Sequence, residues 1–232
     1  MVDRILCPSL VLTHRIILTD LLLDPAIFKI VTGLSLPSDA AVRQETTVDD
    51  SAKARLDFYA AGLGAAMERP VMDVELAKLV ITDYMALYET HQPEDARRAL
   101  PQIAMRAASR MRARAEPSPA TLAPPMTAKV ERAATRYPYT DYFAVREDDL
   151  AFPRFSGGMS PIVKRASFMG GDAVTVLPFD PAQGKVLMVR QFRHGPYARG
   201  DENPWTLEPA AGRIDPGETP EETARRELLE ET

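Results

Sequence analysis

The chain has 232 residues, of which 45% are apolar and 26% are charged, and its formal net charge is −5. These values are typical of a soluble globular protein and leave room for one large or two small domains. The negative charge argues against general nucleic-acid binding, and the single cysteine, Cys7, excludes a disulfide framework and favours a reducing cytoplasm.

An apolar stretch from Ile5 to Leu23 opens the chain. His14, Arg15 and Asp20 interrupt it, so its uninterrupted run is too short to span a bilayer. We therefore predict a core strand and helix here, and no membrane partner.

Two helix-like stretches follow, from Val74 to Tyr88 and from Pro93 to Arg114, the second interrupted by Pro101. Two interpretations stay open for the basic side chains of the second stretch. They could dock an acidic partner surface or a phosphate, or they could form a solvated or interdomain face. These side chains are Arg97, Arg98, Arg106, Arg110, Arg112 and Arg114.

A proline-rich segment, EPSPATLAPP, contains four prolines in ten residues and predicts an extended, semi-rigid linker. We accordingly place a mixed α/β domain at 1–115, the linker at 116–128 and a second domain at 129–232. The second domain is rich in strand patterns. Runs from Val174 to Phe179 and from Lys185 to Phe192, joined by DPAQG, predict a hairpin. The fold class is therefore α/β (α+β).

The last 21 residues, GRIDPGETPEETARRELLEET, carry the most specific signal, and we call Gly212–Thr232 the acidic motif. Thr219 is typical of a helix cap, and Pro220 suits the first helical position. Glu222 can close a capping box with Thr219. The pattern predicts a helix from Pro220 onward.

Three carboxylates of that helix converge on one face, because Glu227 and Glu231 are four residues apart and Glu230 lies beside them. A divalent cation would compensate their repulsion. Oxygen ligands without histidine or cysteine favour magnesium, or manganese, over zinc. The alternative is an ordinary acidic helix face with Arg225 and Arg226 as salt-bridge partners.

The acidic motif resembles the Nudix box in the order and spacing of Gly212, Glu218, Arg226, Glu227, Glu230 and Glu231. The upstream elements VRQFR and PWTLE are similar to those of the ADP-ribose pyrophosphatase branch of the Nudix hydrolases, and the likeness covers residues 137–232. The resemblance implies a partial Nudix α/β/α sandwich, preceded by a smaller mixed domain. It also implies magnesium-dependent hydrolysis of ADP-ribose, or another nucleoside diphosphate sugar, to AMP and ribose 5-phosphate.

The resemblance also assigns roles within the motif. The metals would be held by Glu227, Glu231 and the backbone carbonyl of Ala211, with Glu230 as a supporting carboxylate. Arg226 would orient a glutamate of the motif rather than touch the substrate.

Substrate-side residues follow from the same resemblance. Arg193 matches a substrate-binding arginine, as do Arg165 and Arg213, and a guanidinium suits phosphate oxygens. A surface cation that ends a strand is the alternative for Arg193. Tyr142 and Phe143 match aromatics that stack on adenine from the partner subunit of a homodimer, and a core aromatic pair is the alternative.

The chain departs from the family pattern at Gly170, where a relative can carry another substrate-binding arginine. The motif would continue with a glycine beyond Thr232, and the general base is usually a glutamate on a later loop. We therefore expect a fragment of a longer protein or a truncated gene product. A catalytically inactive nucleotide-binding or regulatory protein stays open as an alternative.

The sequence RLDFYAAGLG, from Arg55 to Gly64, is similar to γ-glutamylcyclotransferase-like domains that some bacterial ADP-ribose hydrolases carry. Enzymes of that fold place a glutamate after the tyrosine, whereas Ala60 follows Tyr59 here. We expect a structural or interaction module without cyclotransferase chemistry. Some relatives are associated with tellurite resistance, which no residue here explains.

Overall fold

The computed structural model describes residues 13–40, 44–64, 73–115 and 129–232. Helices and strands are mixed along these residues, which confirms the predicted α/β class. The predicted linker and Cys7 lie outside the described residues, so the linker stays a prediction.

The described residues form two compact units. The first unit consists of the described residues within 1–107 and 118–169. The second unit consists of the described residues within 108–117 and 170–232. The predicted second domain is thus divided between the two units. Within the described ranges, no helix is long and apolar enough to cross a membrane.

The first unit opens with strand β1 (Thr13–Ile17), which pairs antiparallel with β2 (Glu45–Asp49) and confirms the predicted strand, whose half-buried Ile16 packs against the core. The predicted helix within Ile5–Leu23 is only a short 3-10 turn, Leu21–Leu23, among the described residues. Between and after these strands the chain is largely helical. Its helices are α1 (Pro25–Thr32), α2 (Asp50–Tyr59), α3 (Val74–Met85), α4 (Pro93–Arg98) and α5 (Leu100–Ala115), the last continuing into the second unit from Ala108.

Aspartate side chains set the starts of α1, α2 and α3. Asp24, Asp49 and Asp73 each accept hydrogen bonds from backbone N–H groups of the first helical turn, which have no partner within the helix. The predicted helix from Pro93 is two helices that break at Ala99. Pro101 fits the first turn of α5 because no N–H is needed there.

A three-stranded antiparallel sheet completes the first unit. The strands are β3 (Glu131–Thr140), β4 (Ala144–Ala151) and β5 (Val163–Met169). Their order in the sheet is β3-β4-β5, and Asp148 of β4 stands opposite Arg165 of β5.

The packing of a buried tyrosine explains the first glycine of RLDFYAAGLG, Gly62. Tyr84 of α3 is fully buried, and its hydroxyl donates a hydrogen bond to the Phe58 carbonyl oxygen at 3.2 Å. Burial raises the pKa of Tyr84 to about 12. Gly62 lies in a π-helical turn, Ala60–Gly64, where an added Cβ would overlap the Tyr84 ring. The motif therefore needs a residue without a side chain at this position.

We expect Gly62→Ala to lower the free energy of unfolding by about 1–3 kcal/mol, because the added methyl group forces side chains apart in a packed core. Chemical denaturation followed by circular dichroism measures the change. Gly195→Ala is the matched control, since a Cβ at Gly195 meets no atom within 4 Å. Equal stability of wild type and Gly62→Ala would contradict this explanation.

The second unit is built from short strand pairs. The elements are β6 (Ala173–Val176), β7 (Phe179–Asp180), β8 (Lys185–Val186), β9 (Val189–Phe192), α6 (His194–Arg199), β10 (Trp205–Glu208), β11 (Ala210–Arg213) and α7 (Pro220–Glu231). β6 pairs with β11, β7 with β8, and β9 with β10, all antiparallel. The acidic motif supplies helix α7.

The predicted hairpin is much shorter than the sequence pattern indicates. Only β7 and β8 pair across the DPAQG turn, with Phe179 opposite Val186. The outer parts of both runs have other partners, since β6 pairs with β11 and β9 with β10. Phe192 and Trp205, in register across β9 and β10, bring their ring centroids within 6.0 Å of each other. Such non-local cross-strand pairs favour the observed pairing.

The arginines of the basic stretch from Pro93 to Arg114 differ in exposure and do not form one common face. Arg106 is buried and donates to the Thr140 hydroxyl at 3.2 Å, so a solvated face is wrong for this residue. Arg112 Nε donates to Asp172 Oδ2 at 2.8 Å. The exposed arginines are Arg97, Arg98 and Arg114.

Candidate functional site

Helix α7 begins as the sequence predicts. The Glu222 N–H donates to the Thr219 hydroxyl at 3.2 Å, and the Thr219 N–H donates to Glu222 Oε2 at 2.8 Å. Pro220 occupies the first helical position. This reciprocal capping box fixes the helix start and hence the direction in which its later glutamates point.

Glu227 lies directly against the backbone of strand β11. Its side chain is only 13% exposed. An added Cβ at Gly212 would overlap the Glu227 carboxyl group. The glycine of the acidic motif is therefore required by the close approach of this carboxylate.

Glu231, one helical turn later, is held by donors from two strands. Gln191 Nε2 of β9 donates to Oε1 at 2.6 Å, and the Ala211 N–H of β11 donates to Oε2 at 3.0 Å. Two carboxylates of α7 thus meet two successive backbone positions, Ala211 and Gly212.

The Ala211 carbonyl faces the same side. In an extended strand the N–H and C=O of one residue point to the same edge. Because the Ala211 N–H donates to Glu231, the Ala211 carbonyl oxygen is directed toward the α7 side of β11. Two carboxylates and one carbonyl oxygen can therefore contribute to one site.

Arg226 links the carboxylates of the motif. Its Nε and Nη2 each donate to Glu218 at 3.0 Å, and its Nη1 donates to Glu227 Oε1 at 2.6 Å. Nη2 also donates to the Arg213 carbonyl oxygen at 3.2 Å. Hydrogen bonds from Arg226 to Glu218, and then to Glu227, raise the pKa of the Arg226 guanidinium.

The two neighbouring arginines of the motif differ sharply in surroundings. Arg225 pairs with Glu221 at 2.8 Å, and the two side chains are 75% and 79% exposed. The alternative of an ordinary acidic face describes this pair well. It does not describe Arg226, which is 30% exposed and contacts carboxylates on the strand-facing side.

Glu218 receives hydrogen bonds that the sequence pattern did not reveal. The Thr223 hydroxyl, fully buried, donates to Glu218 Oε2 at 2.7 Å. Hydrogen bonds from Arg226 and then from Thr223 lower the pKa of Glu218 to about 2. The sequence could have indicated this role for Thr223, because it is a small hydroxyl residue one turn into an amphipathic helix.

The low pKa of Glu218 predicts a pH-dependent contribution to stability. The group stabilises the fold above its ordinary pKa of 4.5, and the contribution is lost as pH falls toward 2. We expect the destabilisation caused by Glu218→Gln to be largest above about pH 4.5 and to shrink toward about pH 2. Urea denaturation of both proteins across this range measures the difference, with Glu221→Gln as the exposed control. A pH-independent difference would contradict the assignment.

Within the described residues, no group of three or more histidine, cysteine, aspartate or glutamate side chains has the geometry that holds a metal ion. Glu230 is 59% exposed, and its Oε2 lies 3.3 Å from Arg226 Nη1, the nitrogen that also donates to Glu227. Magnesium commonly uses one or two carboxylates and completes its octahedron with water and substrate phosphates. The chemistry of Glu227, Glu231 and the Ala211 carbonyl fits such an ion.

The predicted substrate arginines fall in both units. Arg193, in the second unit, donates through Nε to Glu208 Oε1 at 2.7 Å, which holds its guanidinium at the start of α6. Arg213 is half-buried, and its carbonyl accepts from Arg226. Arg165, in the first unit, is exposed and donates to the Lys164 carbonyl at 3.0 Å.

The predicted aromatic pair lies at the surface of the first unit. The Tyr142 and Phe143 ring centroids are 4.8 Å apart in an edge-to-face arrangement, and Phe168 lies 4.5 Å from Phe143. The exposed fractions of the three residues are 57%, 37% and 67%. They are surface residues rather than part of the buried core.

Asp172 anchors the start of β6 in the second unit. Burial alone would raise its pKa, but hydrogen bonds from the Ser109 hydroxyl and the Arg112 guanidinium lower it below the ordinary value. The Asp172 backbone carbonyl accepts from the Ile214 N–H at 3.1 Å. Helix α5 therefore supports the β6–β11 pair that carries Gly212.

Comparison with known proteins gives a family match to the carboxy-terminal part. Residues 169–232 match the NUDIX domain family model. The ADP-ribose pyrophosphatase of Escherichia coli K12 is 39% identical over 102 residues, which cover 44% of this chain and 48% of that protein. The ADP-ribose pyrophosphatase of Haemophilus influenzae is 35% identical over 95 residues, covering 40% and 44%.

A third relative is named for a different activity. The GDP-mannose pyrophosphatase of Pectobacterium atrosepticum is 44% identical over 62 residues, which cover 27% of this chain and 32% of that protein. The chain spans about half the length of the ADP-ribose pyrophosphatases that it matches.

Proposed function

We propose that this protein, whose residues 169–232 match the NUDIX domain family model, is a magnesium-dependent hydrolase that converts ADP-ribose to AMP and ribose 5-phosphate. One observation carries the proposal: Glu227 and Glu231 meet the backbone of Ala211 and Gly212 while Arg226 ties Glu227 to Glu218. The relatives that are ADP-ribose pyrophosphatases, including those of Escherichia coli and Haemophilus influenzae, support the choice of substrate.

Each residue of the site has a role in this proposal. Glu227, Glu231 and the Ala211 carbonyl would hold magnesium, which supplies charge neutralisation at the diphosphate and a lower pKa for the attacking water. Arg226 keeps the Glu227 carboxylate pointing at β11. Glu230 is a supporting carboxylate at the edge of the site.

Arg193 is the residue best suited to bind the substrate diphosphate. Its guanidinium is oriented by Glu208 and retains further N–H donors for phosphate oxygens. Arg165 and Arg213 are proposed as further substrate contacts. Tyr142 and Phe143 are proposed as the adenine platform within a homodimer, for which an exposed aromatic surface is suitable.

Incubation of the protein with ADP-ribose and magnesium, followed by ³¹P NMR, tests the activity. We expect resonances of AMP and ribose 5-phosphate to appear and to be abolished by a chelator. Binding of ADP-ribose without hydrolysis would instead support an inactive nucleotide-binding protein. Absence of both binding and hydrolysis would refute the proposal.

GDP-mannose is the second candidate substrate, because one relative is a GDP-mannose pyrophosphatase with 44% identity over 62 residues. Both substrates contain a diphosphate, and a magnesium ion held by the same carboxylates would neutralise it in either case. A comparison of kcat/KM for ADP-ribose and GDP-mannose under identical conditions decides between them. A higher kcat/KM for GDP-mannose would identify GDP-mannose, and not ADP-ribose, as the preferred substrate.

A further inference from the structure

Gln191 occupies a position between the strands and the acidic helix. It lies at the third position of β9, opposite Thr206 of β10, and is half-buried. Its amide Nε2 donates to Glu231 Oε1 at 2.6 Å across 40 residues of sequence. The side chain therefore connects β9 to the last turn of α7.

The two donors to Glu231 act on different oxygens. Gln191 occupies Oε1, and the Ala211 N–H occupies Oε2. A carboxylate has about four acceptor sites on its two oxygens, so both remain able to bind a cation. Two hydrogen bonds from different strands fix the plane of the carboxylate, which one bond alone would leave free to rotate.

A neutral donor suits this position for an electrostatic reason. A lysine or arginine would neutralise Glu231 and compete with a bound cation, whereas an amide fixes the carboxylate and leaves its charge available. The length of glutamine is also needed, because the donor must reach from β9 to the end of α7.

We propose that Gln191 is a positioning residue that sets the orientation of Glu231 for cation binding. The inference rests on the proposed function, since it takes Glu231 as a metal ligand. In this proposal Gln191 acts through its hydrogen bond to Glu231 and is not itself a ligand of the cation. Groups of this kind commonly change metal affinity by about 10- to 100-fold when they are removed.

Manganese alone is the probe, with free Mn²⁺ measured by electron paramagnetic resonance and no substrate present. We expect Gln191→Met, which keeps the length but removes the donor, to raise the Mn²⁺ dissociation constant about 10-fold. Gln191→Asn, which keeps an amide but shortens its reach, should give a similar loss. Gln183→Met is the matched control, because Gln183 is exposed in the turn between β7 and β8.

A double-mutant cycle separates positioning from general packing. If Gln191 acts through Glu231, Gln191→Met should weaken Mn²⁺ binding in wild type but change it little in a Glu231→Gln background. Thermal unfolding of every variant checks that the fold is retained. An equal loss in both backgrounds would overturn the positioning role, as would unchanged Mn²⁺ affinity in folded Gln191→Met and Gln191→Asn.

The outcomes for the inference and for the proposed function are distinct. Failure of the wild-type protein to bind Mn²⁺ would contradict the metal site itself and with it the inference. Binding by wild type with full retention in the Gln191 variants would leave the metal site intact and refute only the role of Gln191.

Discussion

Glu227→Gln is expected to lower the rate of ADP-ribose hydrolysis by about 100- to 1000-fold, the loss anticipated when several kcal/mol of metal-mediated stabilisation are removed from the transition state. The substitution preserves the size of the side chain. An amide oxygen can still accept the hydrogen bond that Glu227 receives from Arg226. The change therefore removes the negative charge while it retains most of the local geometry.

Glu221→Gln provides the matched comparison. Glu221 lies on the same helix, but its side chain is 79% exposed and pairs with the exposed Arg225, whereas Glu227 is 13% exposed. Steady-state kinetics at saturating magnesium should show near wild-type activity for Glu221→Gln. Equal losses in the two variants would point to a general effect of helix charge and contradict a specific role for Glu227.

Arg226→Lys is expected to lower kcat about 10- to 100-fold, because the ammonium group cannot reproduce the forked contacts of the guanidinium. Arg226 donates to Glu218 through two nitrogens and to Glu227 through a third. A lysine keeps the positive charge but reaches these carboxylates as a point charge. The Glu227 carboxylate would then lose its fixed direction.

The pattern of the kinetic change distinguishes orientation from substrate binding. KM for ADP-ribose should change less than about threefold, since Arg226 is proposed to contact carboxylates and not the substrate. Arg225→Lys is the control, because Arg225 pairs with Glu221 on the exposed face. A large rise in KM with kcat unchanged would identify Arg226 as a substrate contact instead.

Local patterns predicted local structure well. Thr219, Pro220 and Glu222 are enough to define the start of α7, because capping depends on backbone groups within one turn. The interruption next to Pro101, which the structure places at Ala99, was also predictable, because a proline is favoured only in the first turn of a helix. The partners of β6 and β9, which are β11 and β10, could not be predicted. Antiparallel partners are selected by contacts between residues distant in sequence, such as Phe192 with Trp205.

The roles of the arginines divide in the same way. The sequence distinguished Arg226 from Arg225 only through resemblance to a family, since both have an acidic residue one helical turn away. The structure separates them by burial and by the proximity of Glu218. A solvated or interdomain face was one of the two interpretations for Arg106, and its burial beside Thr140 depends on packing that the helix pattern alone does not encode.

The sequence by itself determined the position of the acidic helix and the spacing of Glu227 and Glu231 on it. Helical periodicity and capping are short-range properties, so they can be read from consecutive residues. Only the tertiary structure decided that the Gln191 amide and the Ala211 N–H donate hydrogen bonds to the Glu231 carboxylate. Those contacts span 40 and 20 residues of chain, and they exist because separate strands meet the same helix.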